Sequence, residues 1–208
     1  MAIALLLVPG PVEAQGFLEQ FSYEGLRLSS ISLELGAVAS DRLTTEPTVA
    51  IRFDFGYVAP KIRVLLGGAY FKGSFQGDEI ARFEQRVFDV VENPGPLTTI
   101  NVGEISWAHW QGSFDLQYVF TPGAKVRPYA GLGVSVIVRN GDGAAINGTF
   151  VEDALDTITA GMTASLGVEV GLTEWLSVVA DGRGELTGEL RSVSARGGFK
   201  FHLPRGES

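Results

Sequence analysis

Only two histidines occur in the chain, His109 and His202, and there is no cysteine. Thiolate chemistry, disulfides and cysteine metal sites are therefore excluded. A lipid-facing histidine beside a serine could deacylate a lipid. His109 lies in the run from Trp107 to Ser113, but position 111 is Gln, so a close His-x-Ser pair is missing. Asp181, Arg183 and Glu185 look like a catalytic cluster, yet their spacing of two puts them on one face of a strand, where paired charges are the simpler reading. Asp142, Glu152, Asp153 and Asp156 fall in a stretch from Asn140 to Thr157 that holds no Lys or Arg. Oxygen ligands of this kind suit a divalent cation, but Asn140 to Gly143 is too short for an EF-hand loop and a solvated acidic loop is favoured. No catalytic, cofactor or metal residue is assigned.

The elements that carry these residues are set by alternation with a period of two, the signature of strands. It recurs eight times. Val49, Ile51, Phe53, Phe55 and Tyr57 alternate with Ala50, Arg52, Asp54 and Gly56; Met162, Ala164, Leu166, Val168 and Val170 alternate with Thr163, Ser165, Gly167 and Glu169. Similar stretches begin near Ser30, Ile62, Trp110, Ala130, Leu176 and Ser192. Each is ~9 to 13 residues long, enough to cross a bilayer at a tilt. Connections alternate as well: 59–61, 121–126 and 173–175 are short, whereas 40–47, 76–104 and 140–157 are longer. Only 187–191 is short among the second set. Ile80, Phe83, Val87 and Val91 recur at near-helical spacing within 78–92, predicting a short amphipathic helix in the second long loop.

Alternation alone fits two opposite barrels: a soluble one with an apolar lumen and a membrane one with a polar lumen. Charge decides between them. The polar faces carry Glu34, Asp54, Asp115, Glu169, Asp181 and Glu185 against Arg52, Arg63, Arg139, Arg183, Arg196 and Lys200. These balance, although the chain has 24 acids and 16 bases. A closed lumen requires such pairing and a solvated surface does not. Aromatics gather towards strand ends, at Tyr57, Tyr70, Trp107, Trp110, Tyr118, Phe120, Trp175, Phe199 and Phe201, as in the interfacial girdles of membrane barrels. The net charge of -8 argues against a nucleic-acid partner. Met1 to Val8 is apolar and is followed by Pro9, Pro11 and Ala14, which reads as a secretory signal over 1–14.

With the signal segment, the eight strands and the charge-paired interior, a terminal strand ending at Gly197, Gly198, Phe199, Lys200, Phe201, His202 and Leu203 resembles those of the small OmpA-like and OmpX-like outer-membrane barrels. The match covers Leu26 to Leu203. It is one of pattern, and the final strand of that family usually ends on an aromatic, whereas Phe201 here is followed by His202, Leu203 and the tail 204–208. The resemblance implies an all-β, eight-stranded antiparallel up-and-down transmembrane barrel over 26–203, preceded by a periplasmic segment 15–25. It implies an outer-membrane location, periplasmic termini, extracellular longer loops, and a monomer. Expected partners are outer-membrane lipid, lipopolysaccharide and the outer-membrane assembly machinery. The expected role is structural or surface interaction, with no enzymatic activity, no cofactor and at most a narrow pore. A lipocalin-like barrel carrying a small apolar ligand is the alternative, and a lipid A-modifying barrel centred on His109 is a third.

Overall fold

The computed structural model describes residues 22–23, 26–41, 43–74, 77, 106–142, 157–188 and 190–204. Eight strands follow in chain order: β1 Ser30–Ser40, β2 Glu46–Ala59, β3 Ile62–Ser74, β4 Ser106–Val119, β5 Val126–Asp142, β6 Thr157–Gly171, β7 Leu176–Thr187 and β8 Arg191–His202. Each pairs antiparallel with its chain neighbours, and β1 closes on β8 from Ser30↔His202 to Ser40↔Ser192. Closure leaves no sheet edge, so every strand's backbone is paired within the barrel, as a bilayer interior demands.

Polarity is inverted relative to a soluble protein. Ile158, Leu132, Met162 and Leu166 point outward and are 69 to 74% exposed. Arg139, Glu169 and Asp115 point inward and are 1 to 2% exposed. Water would not solvate such an exterior, but lipid would. The lipocalin-like alternative requires the reverse arrangement and is overturned by this geometry. Aromatic pairs lie at both ends of the outer wall: Tyr70 with Trp110 at one (centroids 4.5 Å apart), Tyr118 with Phe120 (5.2 Å) and Trp175 with Phe201 (6.5 Å) at the other.

Connections 60–61, 120–125 and 172–175 are at one end of the barrel, here the turn end; 41–45, 75–105, 143–156 and 188–190 are at the other, the loop end. The start of β1 and the end of β8 are both at the turn end. Most strands are longer than the alternation predicts, and two of the extensions add charge or cross a proline. β5 begins at Val126, not Ala130, and continues to Asp142; β3 continues to Ser74 and so includes the exposed Lys72 as a second charge. Near its turn end β2 bulges between Asp54 and Ala59, where Gly56 takes a φ of 86°, a conformation that disfavours a side chain. The chain before β1 runs along this bulge, with Ser29 N–H donating to Asp54 O (2.7 Å) and Arg27 N–H to Phe55 O (3.1 Å). The signal over 1–14, most of the segment 15–25, the helix over 78–92, the acidic residues Glu152, Asp153 and Asp156, and the tail beyond Pro204 lie outside the described residues.

The charged lumen as candidate functional site

Side chains of alternate residues on all eight strands converge on the lumen, and its charges stack in four levels from the turn end to the loop end. The lowest level gathers Asp54 (β2), Arg63 (β3), Arg127 (β5), Glu169 (β6) and Lys200 (β8). Lys200 Nζ lies 2.6 Å from Asp54 Oδ2 and 3.1 Å from Glu169 Oε2. Arg63 donates to Glu169 Oε2 (2.7 Å), Asp54 Oδ2 (3.3 Å) and Gln117 Oε1 (3.0 Å). Arg127 Nη2 donates to Glu169 Oε1 (2.7 Å) and to the Ser177 hydroxyl (3.0 Å). His202 Nε2 also reaches Ser177 Oγ at 2.8 Å.

The second level is a four-membered knot. Arg52 (β2) is ion-paired at 3.0 Å with Glu34 on its neighbour β1 and donates a hydrogen bond to Asp181 on β7 across the lumen. Arg196 (β8) lies 3.5 Å from Asp181 and 3.8 Å from Glu34. Beneath it, the Tyr129 ring stacks over the Arg63 guanidinium at 5.1 Å. The backbone of Gly167, the cross-strand partner of Tyr129, is where that ring rests; a Cβ there would meet its Cζ and hydroxyl. In a lumen this narrow, a glycine makes room for a neighbour's large side chain.

At the third level Arg183 (β7) grips Asp115 (β4) with two parallel hydrogen bonds of 3.0 and 2.9 Å. Ser113 and Thr163 donate to the same carboxylate at 2.9 and 3.0 Å. Such a bidentate pair, with its remaining lone pairs occupied, is the geometry that offsets the desolvation of two buried charges. The fourth level holds Glu185, which accepts from Gln111 and Ser135 at 2.6 Å each, and Arg139, which donates to Thr187 at 3.2 Å.

Above these levels the filling changes character. Val38, Leu43, Phe71 and Leu190 form a buried apolar cluster at the loop end. His109 stacks on Phe71 with ring centroids 4.4 Å apart, is 2% exposed, and neither of its ring nitrogens has a hydrogen-bond partner. It points into the lumen and away from lipid, so it cannot meet an acyl chain in the bilayer.

All twelve charges on the polar faces are therefore inward and buried. Reading the strands by alternation misses Arg127. It precedes Pro128, a residue that normally marks a turn, so the run reads as starting at Ala130. It also misses the inward apolar residues Leu65, Val119, Tyr129, Ile137 and Val179, each at most 5% exposed. Their inward position could be found only by extending the period-two pattern through them.

Neither a protein-family model nor a curated protein sequence matches the chain. Solved structures do. Neisserial surface protein A is similar over 86% of this chain and 100% of its own, with a TM-score of 0.57 and 13% identity. The outer membrane protein OprG from Pseudomonas aeruginosa is similar over 88% of this chain and 100% of its own (TM-score 0.55, 14% identity). The N-terminal β-barrel domain of Pseudomonas aeruginosa OprF is similar over 84% and 98% (TM-score 0.50, 17% identity). The likeness is one of fold: a small eight-stranded barrel of the outer-membrane type.

Proposed function

We propose that the chain is an integral outer-membrane β-barrel protein with a structural or surface-interaction role, and that its lumen is closed by its own charge pairs. The observation that carries this reading is the inverted polarity: an exposed apolar wall around a buried, mutually neutralised interior. Struts cross the lumen between distant strands, Arg52 to Asp181 and Arg183 to Asp115 among them. A continuous water column would have to break several of them at once. The lumen charge network is thus structural, and the protein is not an enzyme.

The likeness to Neisserial surface protein A and to the outer membrane protein OprG supports the location. On this reading the turn end and both termini face the periplasm, and the loop end faces outward. Connections 75–105 and 143–156 hold nine of the chain's 24 acids and two of its 16 bases, so the outward face is anionic and meets lipopolysaccharide across a shared negative charge. The protein acts as a monomer among outer-membrane lipid and reaches it through the outer-membrane assembly machinery.

The test is fractionation and gel migration. The full chain should extract with outer membranes and run faster unheated than boiled in detergent. Recovery in a soluble fraction without detergent would overturn the proposal. Because the chain has no cysteine, a single cysteine placed in 143–156 reports orientation cleanly: a membrane-impermeant maleimide should label it on intact cells. In planar bilayers the barrel should show no porin-size conductance steps.

A further inference from the structure

We infer that the turn-end mouth of the lumen binds a small oxyanion, of the phosphate or carboxylate class, on Arg127. Two independent observations point there. The first is charge. Two levels of the lumen balance among their own ion pairs: Glu34 and Asp181 against Arg52 and Arg196, and Asp115 against Arg183. The lowest does not. Among the described residues, Arg63, Arg127 and Lys200 surround Asp54 and Glu169 alone, leaving one cation in excess with His202 counted as neutral. Among the described residues, the three surrounding turns carry Lys61 and Lys125 against Glu174 and so add no net negative charge.

The second observation is the orphaned hydrogen-bond capacity at this level. Arg127 Nε and Gln117 Nε2 are buried donors with no partner, and the Ser30 hydroxyl, which can also donate, has none. Gln117 is fully buried. Its carbonyl is held by Arg63, which fixes the amide so that its N–H groups face away from that bond. Surplus positive charge and unused donors call for the same thing, an acceptor bearing negative charge. Arg127 is also the most accessible of these cations: its side chain is 21% exposed, against 5% for Arg63 and 4% for Lys200. An anion arriving from solvent meets its guanidinium first, beside the Ser177 hydroxyl.

The experiment is isothermal titration calorimetry of the full chain, folded in a non-ionic detergent, with inorganic phosphate and, separately, acetate at matched ionic strength; chloride is the control. Wild type should give one saturable site for phosphate or acetate and none for chloride. Arg127→Gln removes the excess cation. Ser177→Asp instead supplies an internal carboxylate next to Arg127. Each should weaken binding by about tenfold or more, the loss expected for a charge-assisted hydrogen bond. Heat-modifiable migration verifies that both variants are folded, and Ser177→Asp keeps the test open if Arg127→Gln is not. Absence of a saturable heat in wild type would overturn the inference. So would unchanged affinity in a folded variant.

Discussion

The two ends of the lumen are closed by different chemistry. At the turn end, Asp54, Arg63, Arg127, Glu169 and Lys200 form a network in which one carboxylate, Glu169, serves three cations. At the loop end, Val38, Leu43, Phe71 and Leu190 pack as a small apolar core. Ion pairs tie opposite walls together with directional bonds and fail badly when one partner is lost. An apolar cluster has no such directionality and fails in proportion to the volume removed. The barrel is thus braced by charge at the turn end and sealed by packing at the loop end, and substitutions at the two ends should differ in size and kind.

The largest effect is expected at Glu169. Glu169→Ala strips the shared acceptor from Arg63, Lys200 and Arg127 and leaves buried cations uncompensated. A loss of about 3–5 kcal/mol is expected, read as the midpoint shift of urea unfolding from phospholipid bilayers. At the other end Phe71→Ala should cost about 3 kcal/mol by leaving a cavity in the cluster, with no dependence on salt. If both losses were alike in size and equally insensitive to salt and to the neighbouring charges, the contrast between bracing and sealing would collapse.

The Asp115–Arg183 pair separates geometry from charge. Either single replacement, Asp115→Leu or Arg183→Met, should cost about 3 kcal/mol. Both together should return to within about 1–2 kcal/mol of wild type, because no charge is left buried alone and the remaining cost is the acceptor lost to the Ser113 and Thr163 hydroxyls. A double variant as unstable as the sum of the singles would show that the pair contributes more than mutual neutralisation.

Much of this was legible in the sequence, for a physical reason. Lipid on one side and a closed lumen on the other constrain both faces of every strand, so alternation is enforced residue by residue. Leu33 and Glu34, or Leu166 and Ser165, could not exchange places. Where a lumen position tolerates an apolar side chain, the signal vanishes. Tyr129, Ile137 and Val179 read as interruptions, although each lies inward on the same period as its charged neighbours. Arg127 was hidden behind Pro128. The apolar seal was the least legible part. Val38 and Phe71 come from strand ends, whereas Leu43 and Leu190 come from connections, and no periodicity links residues that meet only after closure.

His109 belongs to that seal by position and to the charged lumen by chemistry, and it gives the smallest and most discriminating prediction. Its ring stacks on Phe71, its cross-strand partner is Arg139, and both ring nitrogens are buried without a hydrogen bond. A buried polar group left unpaired opposes folding. A phenyl ring of similar size keeps the stacking and carries no unmet hydrogen-bonding group. His109→Phe should therefore stabilise the barrel by about 1 kcal/mol, measured by the same urea unfolding. The gain should shrink when Phe71 is already Ala, since the stacking partner is then gone. A loss of stability in His109→Phe would mean that the imidazole nitrogens are engaged in the bilayer, and the loop end would then be a polar closure like the turn end.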